Sequence, residues 1–93
     1  MLRLGILISG SGTNLQAIID SIESGRLNAE AALVISDRPG AYGIERAKKH
    51  NIRTLVIDRA LYNGKEPFEH ALINALLEKE AGLVVCAGFM RLL

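Results

Sequence analysis

Short apolar runs alternate along the chain with stretches whose apolar residues recur every three or four positions. The runs are Leu4–Ser9, Ala31–Ser36, Thr54–Asp58 and Gly82–Gly88. They are rich in Val, Ile and Leu and nearly continuous, the pattern of strands covered by helices on both faces. Between the first two, Leu15, Ile18, Ile19 and Ile22 keep the spacing of one helical face, with Asp20, Glu23 and Ser24 on the other side. Gly25 supplies a stop, and Arg26 lies beside the negative end of that helix. A second, short helix is expected over roughly Tyr42 to His50, with Ile44 and Ala47 inward and Arg46, Lys48 and Lys49 outward. A third opens after Asn63-Gly64 with Pro67 in its first turn, and turns Phe68, Leu72, Ile73, Leu76 and Leu77 inward. Strand–helix alternation at this spacing predicts βαβ units and an α/β fold with a parallel sheet. Such sheets bind ligands at the carboxyl ends of their strands. The segments to inspect are therefore Gly10–Asn14, Asp37–Gly43, Asp58–Lys65 and Gly88–Leu93.

Composition narrows the function classes. The 93 residues suffice for one small domain, and 11 basic residues against 10 acidic give a net charge of +1. That balance excludes a strongly basic nucleic-acid module, so no nucleic-acid partner is expected. It leaves open one anion held by geometry rather than by bulk charge. A single cysteine excludes a disulfide framework and any CxxC site. No apolar run approaches the ~18 residues of a membrane span. Met1-Leu2-Arg3 leads straight into the first strand-like run without a secretory cleavage pattern. The expectation is a cytoplasmic, reduced protein with no membrane partner.

Ser9-Gly10-Ser11-Gly12-Thr13-Asn14 joins the first strand to the first helix. Glycines let the backbone approach a ligand closely, and N–H groups converging at a helix N-terminus make an anion site, most often for phosphate. Thr13 and Asn14 offer a hydroxyl and an amide that either cap the helix or hydrogen-bond the phosphate. A plain glycine-rich turn with a Ser/Thr cap is the bland alternative. The dinucleotide fingerprint G-x-G-x-x-G fails at its third glycine, where Leu15 stands. Asp37 sits about where a ribose-binding acid would lie, but before Arg38-Pro39-Gly40 it reads equally as a turn former. No Gly-Lys-Ser/Thr follows, so the Walker pattern is absent. A phosphomonoester fits one small nest better than a pyrophosphate does.

The run Ile8-Ser9-Gly10-Ser11-Gly12-Thr13-Asn14-Leu15-Gln16-Ala17-Ile18 resembles the opening of phosphoribosylglycinamide (GAR) formyltransferases, the folate-dependent enzymes of purine synthesis. Val34-Ile35-Ser36-Asp37-Arg38-Pro39-Gly40-Ala41-Tyr42-Gly43 and Val84-Val85-Cys86-Ala87-Gly88-Phe89-Met90-Arg91-Leu92-Leu93 resemble it too, in the same order. The resemblance implies a Rossmann-like parallel sheet with helices on both faces, ending here after its fourth strand. Residues 1–93 would then be the N-terminal, nucleotide-binding half of a formyltransferase domain. It also implies that Gly12, Thr13 and Asn14 hold the GAR phosphate, and that Lys65 with Met90, Arg91, Leu92 and Leu93 helps hold 10-formyltetrahydrofolate. Met90, Leu92 and Leu93 would suit an apolar wall for a flat pteridine, or simply a buried strand end. Lys65 would suit the folate carboxylates, or be a solvated lysine. The family often has Arg there, so Lys keeps the charge and loses bidentate geometry. No metal is implied.

In the family an Asn, a His and an Asp carry the formyl transfer, and all three follow the Met-Arg-Leu-Leu segment. The resemblance therefore implies no catalytic residue within this chain. His50 falls at the end of the second helix and His70 on the third, both expected to be structural. Cys86 is expected to be a buried, inert thiol in the fourth strand. That strand, Val-rich with an open edge, is a template for self-association. Two alternatives remain: a non-catalytic nucleotide- or phosphate-binding module, and half of an NAD-binding Rossmann enzyme using Asp37.

Overall fold

The structure is a computed structural model and describes residues 2–10 and 13–87. The elements run β1 (Leu2–Ile8), α1 (Thr13–Glu23), β2 (Ala29–Ser36), α2 (Tyr42–Lys49), β3 (Thr54–Val56), a 3-10 turn at Arg59–Leu61, α3 (Lys65–Glu78) and β4 (Leu83–Cys86). The sheet is parallel throughout in the order β3-β2-β1-β4. It is the α/β parallel sheet that the strand–helix alternation predicts, in the Rossmann-like form that the resemblance implies.

Both central strands are buried on both sides, as their unbroken apolar runs require. On one face Leu4, Ile6, Ile8 and Val34 meet Leu15 and Ile19 of α1 and Ile44 and Ala47 of α2. On the other, Leu7, Leu33 and Ile35 meet Phe68, Leu72 and Leu76 of α3. Burying side chains of this size stabilises by roughly 1.5–3 kcal/mol each. The closest approach is at Gly5, where a methyl group would run into Leu76 Cδ2 and sit 3.3 Å from Ala81 Cβ. A side chain at that point of β1 would force Leu76 into another rotamer and crowd Ala81.

A local signal ends α1 where the sequence places it. Past Glu23, Gly25 takes φ +83° and donates to the Ile22 carbonyl at 3.1 Å, while Leu27 N–H reaches Ser21 O at 3.0 Å. β3 stops early because Asp58 caps the following turn, its Oδ1 accepting from Ala60 N–H at 3.0 Å. The end of α3 is held from far along the chain, where Arg3 Nη2 donates to the Lys79 carbonyl at 2.7 Å.

Two expectations need correction. Ile73 and Leu77 point outward, 52% and 69% exposed, although their spacing places them beside Leu72 and Leu76. At about 100° per residue, Ala75 and Glu78 form the flank of α3 that borders Leu33, Thr54 and Leu55. Ile73 and Leu77 are thus on the opposite flank, towards β4, beyond the sheet that α3 covers. Cys86 is exposed rather than buried. Register with Gly5 and Leu7 puts Val84 and Cys86 on the α3 face, but α3 lies over β1 and β2 and leaves this edge bare. Val84 is accordingly 41% exposed, and Leu83 on the other face 48%.

Candidate functional site

The strand order reverses between β1 and β4, because the chain moves outward from β1 through β2 to β3 and then crosses back to β4. Ligand crevices in open parallel sheets form at the carboxyl ends flanking such a point. The β1–α1 loop emerges there. Ala87 leaves β4 beside it, its N–H donating to the Leu7 carbonyl at 2.9 Å.

The start of the loop is stitched to the β2–α2 loop. Asp37 N–H donates to Ile8 O at 3.2 Å, Arg38 Nε donates to the Ser9 carbonyl, and Gly43 N–H donates to Gly10 O at 3.1 Å. Arg38 is held in turn by Ser36, a wholly buried side chain whose Oγ donates to Arg38 O at 2.7 Å and accepts from Arg38 N–H at 3.2 Å. Helix α1 then opens at Thr13, with Asn14 exposed in its first turn and no acidic residue there to oppose an anion. A cleft of about 400 Å³ lies against this junction, lined by Ser9, Gly10, Arg38, Gly40 and Tyr42 among others. Arg46 stacks over the Tyr42 ring at 4.9 Å.

Of the residues assigned to phosphate, Asn14 stands at the helix N-terminus and Thr13 begins the helix, while the Thr13 side chain and Gly12 lie outside the described residues. Of those assigned to folate, Lys65 is the first residue of α3, at the same end of the sheet, 61% exposed with its Nζ 3.7 Å from Glu69 Oε2. A cation at the positive end of a helix is disfavoured unless paired, and Glu69 one turn on supplies the partner. Met90, Arg91, Leu92 and Leu93 lie outside the described residues.

Asp37 is 3% exposed, and its carbonyl accepts from Arg59 N–H at 3.0 Å. Its carboxylate is enclosed at the strand end rather than presented to a ribose, so the turn-forming role is the one the fold supports. His50 is the residue that ends α2, its Nδ1 2.6 Å from Glu23 Oε2 at the end of α1. That pair ties two helices together in a cleft with Ile19, Ile22 and Ile52, where β2 begins and away from the loop. His70 is exposed on α3. Among the described residues no three of His, Cys, Asp and Glu gather as a metal-binding group. No helix among them is long and apolar enough to cross a membrane. Arg38, read from sequence only as part of a turn, is the residue of this junction that sequence reasoning missed. A basic side chain two positions past a buried strand end was its signal.

Comparison with known proteins gives one consistent result. A family model described as formyl transferase matches residues 2–93. The chain is 42% identical over 99 residues to phosphoribosylglycinamide formyltransferase of Schizosaccharomyces pombe, covering 97% of this chain and 48% of that protein. It is 44% identical over 93 residues to the trifunctional purine biosynthetic protein adenosine-3 of Chironomus tentans, covering 98% of this chain and 7% of that one. Its fold superposes on the crystal structure of glycinamide ribonucleotide transformylase 1 from Symbiobacterium toebii with TM-score 0.95 and 49% identity, covering 99% of this chain and 43% of the other. The chain thus spans less than half the length of each of these relatives.

Proposed function

Since the chain belongs to the formyl transferase family, we propose that it is the N-terminal, nucleotide-binding half of a GAR formyltransferase. The reaction is transfer of a formyl group from 10-formyltetrahydrofolate to the amine of 5-phosphoribosylglycinamide. Gly12, Thr13 and Asn14 hold the GAR phosphate by backbone N–H groups, hydroxyl and amide. Lys65 answers the folate carboxylates, and Met90, Arg91, Leu92 and Leu93 line the pteridine. The observation that carries this reading is the position of the glycine-rich loop. It leaves β1 where the strand order reverses, in a chain that superposes over 99% of its length on a GAR transformylase.

General acid–base catalysis needs a titrating group within hydrogen-bond reach of the reacting atoms. His50 is engaged with Glu23, in a cleft lined by the start of β2, and His70 sits on the outside of α3. The 93 residues alone are therefore expected to bind GAR weakly and not to turn it over. Calorimetric titration with GAR and with NAD, beside a formyl-transfer assay, checks this. Heat on adding NAD with none on adding GAR would refute the phosphate reading, and transfer above background would refute the absence of turnover.

Among the described residues β4 has no strand on its outer edge, which supports a second expectation, that the isolated chain self-associates by strand pairing there. Sedimentation velocity at tens of micromolar should show a dimer, and Val84→Lys should return it to monomer. A monomer for the parent chain would contradict this.

A further inference from the structure

We propose that Arg38 is a positioning residue for the anion-binding loop, acting from the neighbouring β2–α2 turn. This rests on the phosphate reading of the β1–α1 loop. Arg38 donates from Nε to the Ser9 carbonyl, and Gly43 N–H takes up the Gly10 carbonyl at 3.1 Å. The carbonyl oxygens at the start of the loop are therefore turned towards the β2–α2 side. In a planar trans peptide the N–H is antiparallel to the C=O, so the Gly10 N–H faces the opposite way. Without Arg38, the Ser9 carbonyl could rotate towards the ligand and oppose an anion.

The brace is rigid at its base. Wholly buried Ser36 grips both backbone polar groups of Arg38, at 2.7 and 3.2 Å, and the turn closes through Gly40 at φ +75°. The turn that carries the guanidinium is thus fixed, which sets the point from which its planar fork reaches the carbonyl. Arg38 also adds positive charge at the start of the loop that leads into α1, whose first turn has no acidic residue. Arg38 and Gly10 line the same cleft.

The test is titration of the 93-residue chain with inorganic phosphate, followed on backbone amides by NMR. Four proteins are compared: the parent, Arg38→Met, Arg38→Lys, and Lys48→Met as a control that removes one charge from α2. Arg38→Met should weaken binding about tenfold or more, the usual scale for a charge-assisted hydrogen bond. It should also shift the Gly10 amide resonance in the free protein. Arg38→Lys should recover part of the affinity, and Lys48→Met should stay within about twofold, as expected for a screened surface charge. Phosphate binding by the parent with Arg38→Met within twofold of it, or with an equal loss in Lys48→Met, overturns the positioning role and leaves the phosphate reading standing. A parent chain whose loop amides do not respond to phosphate overturns that reading itself, and this inference with it.

Discussion

Phe68→Ala should remove most of the chain's stability. Phe68 is 1% exposed and anchors the only helix described on its face of the sheet, against Leu7, Leu33 and Ile35. Its ring meets Tyr62 edge-on at 6.0 Å, and the Arg59 guanidinium lies 5.6 Å from its centroid. Truncating a buried Phe costs about 3–5 kcal/mol, transfer and cavity together. Small domains lose roughly 4–8 °C of midpoint per kcal/mol, and their total stability starts near the low end of 5–15 kcal/mol. Ile73→Ala, on the exposed flank of the same helix, should cost under about 1 kcal/mol. Thermal melts followed by circular dichroism compare the two. A Phe68→Ala midpoint within about 5 °C of the parent would mean that α3 is not the second half of the core.

The other large effect separates binding from folding by moving them in opposite directions. Asn14→Asp places a carboxylate in the first turn of α1, which has no acidic residue. Stability should rise by about 0.3–1 kcal/mol, because a negative charge complements the positive end of the helix dipole. Phosphate affinity should fall by about thirtyfold. A like charge several ångströms from a phosphate at an effective dielectric near 20 costs on the order of 2 kcal/mol after screening. Melts and phosphate titrations on one sample read both quantities. Affinity retained alongside raised stability would place the phosphate away from Asn14, whereas loss of both would mean that the helix start had been misread.

Much of this architecture was legible along the chain because its causes are local. Continuous Val/Ile/Leu runs marked β1 and β2, and Gly25 and Gly64 marked helix ends that require positive φ. Leu15, Ile19, Phe68 and Leu72 kept helical spacing and are buried. The failures are places where the cause lies elsewhere in the fold. Ile73 and Leu77 satisfy helical periodicity, but whether a flank is covered depends on how wide a sheet lies beneath it. The same width decides the exposure of Cys86. The Arg38–Ser9 contact joins residues in two different loops, and the His50–Glu23 pair joins the ends of two helices; neither follows from local pattern. Asp37 could be weighed as a ribose ligand until its burial was known.

The central claim is that the β1–α1 loop receives the phosphate of a phosphoribosyl substrate. A crystal structure of the chain with GAR tests it most directly. The expected result is phosphate density within hydrogen-bond distance of the backbone N–H groups and side chains of Gly12, Thr13 and Asn14, with the ribose extending into the crevice between β1 and β4. Density in the His50–Glu23 cleft, or against Arg46 and Lys49 on α2 with the loop left empty, would contradict it.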